Sequence, residues 1–205
     1  MQTFAQFLHN AAHRGEAVNL VFEQRLFDLA GILHKITAPL MAEGVPHELI
    51  GGLAVLVHVE EADPEHSTLT RDVDLMIRRS DLERVTEIGA RHGFRFRHAA
   101  GLDMLLYGET TSARNAVHLL FSGEKVRPNQ AMPNPPIRPE KKSILGAEVC
   151  IIPVADLVRM KLSAHRDKDR VHIRSMDAAG LITAEIESAL PVELQARLRH
   201  IRETE

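Results

Sequence analysis

The sequence predicts an α+β fold, one mostly mixed β-sheet framed by helical N- and C-terminal segments. Three observations carry that expectation. Apolar residues recur at three- and four-residue steps over Val18–Ile36 and again beyond Val154, which is helical spacing. Between His47 and Ile152, short apolar or alternating runs are separated by Gly- and Thr-containing turns, which is strand spacing. The 205 residues, 44% hydrophobic and 26% charged, suffice for a domain with a core of its own.

The elements follow in order. Val18–Ile36 reads as an amphipathic helix, and Thr37-Ala38-Pro39 restarts a short helical turn that Gly44 closes. His47–Gly51 is a strand, and Leu53–Glu61 a helix that gives way to the polar stretch Ala62–Thr70. Arg71–Arg78 alternates as a strand, and Ser80–Glu83 opens a helix ending at His92-Gly93. Strands are expected at Phe94–Arg97, Asp103–Tyr107, Ala116–Phe121 and Ala147–Ile152. Val126–Pro139, with five of the ten prolines, reads as an irregular extended loop. Val154–His165, Lys168–Ala179 and Pro191–Ile201 are helices. The expected division is a helical segment 1–24, a core 25–153 and a helical segment 154–205.

Composition narrows the function. A formal net charge of −3 excludes histone-like coating of nucleic acid. With no Trp and one Tyr, a base-stacking platform is not expected. The single cysteine, Cys150, supports neither an internal disulfide nor a thiolate metal site, and its apolar surroundings read as a buried core thiol. No apolar run has the length of a membrane span and no signal peptide is evident, so a cytoplasmic protein is expected. The net charge is an average over opposite fields. Arg159–Arg174 and Lys125–Lys142 each carry a local surplus of four positive charges, while Glu60–Glu65 holds four acids and no base.

The most informative stretch is Thr70-Arg71-Asp72-Val73-Asp74-Leu75-Met76-Ile77. Side chains alternate along a strand, so Val73, Leu75 and Ile77 face a core while Asp72 and Asp74 share the other face. Two like charges on one strand face repel. Either they simply face water, or a divalent cation such as Mg²⁺ offsets their repulsion. Twenty residues upstream of Asp72, Ile50-Gly51-Gly52-Leu53-Ala54 reads as strand, tight turn and helix start. There, backbone N–H groups and the helix dipole suit an anion.

Together these segments resemble the signature of the DNA polymerase β-like nucleotidyltransferase superfamily, a Gly-Gly or Gly-Ser turn followed by an Asp-x-Asp strand. Arg159-Met160-Lys161-Leu162 and Arg166-Asp167-Lys168-Asp169 resemble motifs of a small bacterial group related to AbiEii-type toxins. The likeness spans roughly residues 25–180 and implies a nucleotidyltransferase-like core. It also implies Mg²⁺ or Mn²⁺, an NTP substrate, and transfer of a nucleoside monophosphate to an unknown acceptor. RNA, protein or a small molecule would serve, with a partner protein as in toxin–antitoxin pairs. By resemblance, Asp72 and Asp74 hold metal, Gly51, Gly52 and Lys161 hold the triphosphate, and Asp169 joins Lys161 in the active site.

The chain departs from the family at His118, in Ala116-Val117-His118-Leu119-Leu120-Phe121, where a third carboxylate is usual. His118 there is a metal ligand, a general base or the mark of a decayed enzyme that acts as a nucleotide-binding or interaction module. Glu60–Thr70 lengthens the link from Gly52 to Asp72, as a plain connection or as part of acceptor access. The other histidines lack a tight ligand spacing, and His165 and His172 lie in the basic C-terminal stretch.

Overall fold

The computed structural model describes residues 24–68, 70, 72–109, 116–144 and 146–204. The expected helical segment 1–24 therefore lies outside the described residues except for Gln24. A helix, α1, is described over 24–42. It runs straight through Pro39, where the sequence predicts a break. Leu29, Leu33, Ile36 and Leu40 form one apolar stripe, each at most 1% exposed, and its burial outweighs the one backbone bond that Pro39 cannot make. The end falls where expected: Gly44 takes φ +66°, and Val45 N donates to Leu40 O at 2.8 Å.

The strands are β1 (His47–Ile50), β2 (Val73–Ile77), β3 (Phe94–Ala99), β4 (Leu102–Tyr107), β5 (Ala116–Phe121), β6 (Glu140–Ile144) and β7 (Ala147–Ile151). They form one sheet in the order β3-β4-β5-β2-β1-β7-β6. β1 pairs antiparallel with β2 and parallel with β7, and β2 pairs parallel with β5. The sheet is mixed, as the sequence predicts. β6 is not foreseen: Glu140-Lys141-Lys142 is a charged edge strand, a composition that discourages edge-to-edge pairing and hides the strand signal.

Helices α2 (Gly51–Ala62), α3 (Leu82–Arg91), α4 (Val154–Ala164), α5 (Asp167–Ala178), α6 (Ala184–Ala189) and α7 (Val192–Glu203) complete the fold. α6 is also unforeseen; it is short, begun by Thr183 Oγ1 accepting from Ile186 N at 3.3 Å. One contiguous core takes residues from α1 through α7, including Leu75, Val117, Leu162, Ile173 and Leu198. Register decides the faces. Val73, Leu75, Leu105, Val117 and Leu119 share one face, and α3 packs there through Gly89 against Leu105. Asp74, Met76, His118 and Leu120 share the other. Cys150 is half-buried rather than buried, because on β7 it pairs with Lys141 of the exposed edge strand.

Glu48 of β1 is fully buried and accepts a short hydrogen bond from Arg138 N. Burial pushes its carboxyl up to about 7, the Arg138 bond opposes this, and the Asp156 charge adds to it. The folded chain thus holds this proton more tightly than the unfolded chain. Stability is highest below the ordinary carboxyl range, falls as pH rises, and levels off above about 7, by up to about 3 kcal/mol in all. Glu48→Gln is expected to flatten that slope. Melting at pH 5 and pH 8 checks it: equal slopes in variant and wild type would refute this role for Glu48.

Candidate functional site

The carboxyl end of β1, the start of β2 and the start of β5 meet at one cleft, which α4, α5 and the loop 122–139 wall in. Ile50, Asp74 and His118 lie side by side across the three strands. The strand begins at Val73, so Asp72 sits just before it, and both Asp72 and Asp74 line the cleft.

Asp74 organises its surroundings. Its Oδ1 lies 3.0 Å from His118 Nδ1. Burial pushes the Asp74 carboxyl up, but that hydrogen bond and the charges of His118, Lys161 and Lys168 hold it below its ordinary value. The same bond raises the His118 imidazole against its burial, helped by the charges of Asp74 and Asp72. Oδ2 of Asp74 faces Gly51, where an added Cβ would stand only 2.0 Å from it. Gly51 also has φ +75°. Glycine is required twice over, by the turn and by the carboxylate.

Gly51 and Gly52 open α2. No side chain caps this helix and its first turn holds no acid, so its first N–H groups are open beside Asp74 and could receive an anion. Gly52 is enclosed too: an added Cβ would stand 2.6 Å from Thr70 Oγ1 and 3.4 Å from His172 Cε1. His172 is buried, and its burial and the Lys161 charge drop its imidazole to about 4.

Lys161 is 5% exposed and lines the cleft, where the sequence equally allowed a solvated position. Burial pulls its ammonium down, and Asp169 and Asp74 pull it up; it ends below its ordinary value. Asp169 is fully buried and faces Lys161 Nζ at 3.4 Å. Arg166 grips the same carboxylate through Nε at 2.6 Å and Nη2 at 3.1 Å. Burial alone would raise the Asp169 carboxyl, but Arg166 and Lys161 leave it lowered. Both its oxygens are taken, so Asp169 positions Lys161 and the start of α5.

The loop 122–139 supplies residues that sequence reasoning missed, Arg127 and Asn129 among them. Side-chain amides replace regular secondary structure there. Gln130 Oε1 accepts from Val126 N at 3.0 Å, Gln130 Nε2 donates to Asn134 Oδ1 at 3.2 Å, and Asn134 Nδ2 donates to Phe121 O at 3.0 Å. Met132 N donates to Ser163 Oγ of α4 at 2.7 Å. The sequence signal was the positive surplus of Lys125–Lys142, not the backbone pattern. The stretch Glu60–Thr70 ends α2 and adds one turn, Pro64–His66, capped by Asp63.

Asp72 and Asp74 can hold a divalent cation whose remaining positions are filled by phosphate oxygens and water, the usual coordination of Mg²⁺. Among the described residues, no three His, Cys, Asp or Glu side chains are placed to hold a metal together. His118 presents Nδ1 to Asp74 as a hydrogen-bond partner. No helix among the described residues is long and apolar enough to cross a membrane.

No protein-family model matches the chain, and no curated protein matches its sequence. Solved structures do match in fold. An antigenic nucleotidyltransferase-like protein from Paracoccidioides brasiliensis has a TM-score of 0.57 and 15% identity, covering 86% of this chain and 88% of that one. ANT(2'')-Ia in complex with adenylyl-2''-tobramycin gives 0.52 at 14% identity, over 85% of this chain and 97% of that one. The Megavirus polyadenylate synthase gives 0.53 at 9% identity, over 89% of this chain and 39% of that much longer one. The chain has the nucleotidyltransferase fold.

Proposed function

We propose that this chain is a divalent-cation-dependent nucleotidyltransferase, moving a nucleoside monophosphate from an NTP to a hydroxyl acceptor. One observation carries the reading: Asp72, Asp74, Lys161 and the uncapped start of α2 line a single cleft. Phosphoryl transfer is mostly positioning and charge neutralisation, and these groups supply both. The N–H groups at Gly51 and Gly52 and the Lys161 ammonium hold the triphosphate. Asp72 and Asp74 hold Mg²⁺ or Mn²⁺, which when bound supplies neutralisation of the charge that grows on the phosphate oxygens. The acceptor oxygen bonds to the α-phosphorus, the bond from that phosphorus to the bridging oxygen breaks, and pyrophosphate leaves. The hydroxyl proton passes to water. His118 holds Asp74 Oδ1 and so keeps Oδ2 turned toward Gly51. The motif at Lys161 and Arg166–Asp169 supports a place near the AbiEii-type toxin group.

The test is incubation with α-phosphate-labelled NTPs, Mg²⁺ or Mn²⁺, and cell extract. Wild type is expected to label an acceptor, and Asp72→Asn to lower labelling at least about a hundredfold. Undiminished labelling by Asp72→Asn sinks the reading. One observation favours a second reading, a nucleotide-binding module without turnover: His118 stands where a third carboxylate would complete the site. Calorimetry separates the two. NTP binding indifferent to metal and to Asp74→Asn belongs to the module alone.

A further inference from the structure

The charges of the cleft identify the chemistry of the acceptor. Of its three lining aspartates, Asp169 is neutralised by Arg166 and Lys161. Of the other two, Asp74 lies against Gly51, and Asp72, two residues before it, lines the same cleft. Among the described residues, the remaining walls offer no free carboxylate. They offer Arg127 and, near enough for its charge to act on Asp74, Lys168; both are exposed, and neither makes an ion pair with a described residue.

Arg127 is held in place rather than trailing on a loose loop. Gln130 N donates to Arg127 O at 3.1 Å, and the Gln130 side chain fixes Val126 on its other side. The hollow that continues the cleft past Leu102, Leu120 and Asn134 does contain Asp103 and Glu124. Arg79 neutralises both, at 3.0 Å and 2.6 Å, and His98 adds a contact to Asp103 at 2.6 Å. A polyamine entering by either route therefore meets cations and occupied carboxylates. An anion meets two unpaired cations.

Resting on the transfer reading, we infer that the acceptor carries phosphate close to the hydroxyl it presents, bound by Arg127 and Lys168. It is not a polyamine of the tobramycin kind. An RNA end and a small phosphorylated compound share this chemistry.

The experiment offers wild-type protein α-labelled NTPs and Mg²⁺ with each of three acceptors: a short single-stranded RNA, nucleoside 5′-monophosphates and tobramycin. Labelling of the RNA or the monophosphates, with tobramycin untouched, is expected, and whichever is labelled names the source. Two phosphate contacts to a single strand predict that kcat/KM for RNA falls about sevenfold between about 50 and about 200 mM salt. Arg127→Glu combined with Lys168→Glu is expected to lower kcat/KM for the phosphate-bearing acceptor about tenfold or more at an unchanged melting temperature. Tobramycin labelled as fast as the phosphate-bearing acceptors overturns the inference and leaves the transfer reading standing. So does a double reversal that leaves kcat/KM unaltered. If no acceptor of any kind is labelled, the transfer reading falls and this inference with it.

Discussion

Gly51→Ala is expected to lose transfer activity as completely as removal of the Asp74 carboxylate. Two costs coincide at this position. The backbone sits at φ +75°, where alanine is strained by about 1–2 kcal/mol. The new Cβ would also lie 2.0 Å from Asp74 Oδ2 and 2.8 Å from its Cγ. Asp74 cannot simply swing aside, because Oδ1 is bonded to His118 and its strand lies between β1 and β5. Either the carboxylate turns out of the cleft or β1 and β2 part. A displacement of about 1 Å at a reacting group costs about a hundredfold in rate, so kcat/KM should fall at least that far, with a lower melting temperature besides. Gly52→Ala provides the contrast. It lacks the positive φ and presses chiefly on the Thr70 hydroxyl at 2.6 Å, so its effect should be smaller. Labelling assays and thermal melts on both variants check this; a Gly51→Ala protein with wild-type kcat/KM would refute it.

Asp169→Ala is expected to destabilise the fold by about 3–5 kcal/mol, the cost of breaking a buried ion pair from one side. The carboxylate is wholly buried, and its loss leaves Lys161, 5% exposed, with only the more distant Asp74 as counter-charge. It also frees Arg166, whose backbone N and guanidinium both donate to Asp169 at the start of α5. Lys161→Met added to Asp169→Ala removes the stranded ammonium and should restore much of the lost stability, though not nucleotide binding. Urea titrations of the single and double variants measure this. A double variant no more stable than Asp169→Ala would show that the ammonium is not what makes the single change costly.

The legible part of the site is the part written in backbone periodicity. Val73 and Leu75 alternate with Asp72 and Asp74, which places both acids on one side of β2, and Gly51-Gly52 marks the strand-to-helix turn beside them. The rest depends on contacts between distant segments. That Gly51 is required by Asp74 follows from the β1–β2 register, which pairs Ile50 with Asp74 across 23 intervening positions. That Lys161 is buried follows from the packing of α4 against α5. Arg127 is hidden from a sequence reading because its loop is shaped by Gln130 and Asn134 amides, which leave no periodic trace. Local rules fail in the same way at Pro39, where a buried stripe carries α1 past a residue that ordinarily ends a helix.

The order of the sheet bears on how the site withstands motion. β1, β2 and β5 each have a neighbour on both sides, while β3 and β6 lie at the edges. Peripheral strands fray first, since local openings take in the least supported elements before the whole domain unfolds. Asp74 and His118 belong to the last strands to part, and Gly51 follows directly on β1. Partial openings that free β3 or β6 can therefore come and go while the three groups keep their spacing, so the site's lifetime is tied to global unfolding rather than to breathing at the rim.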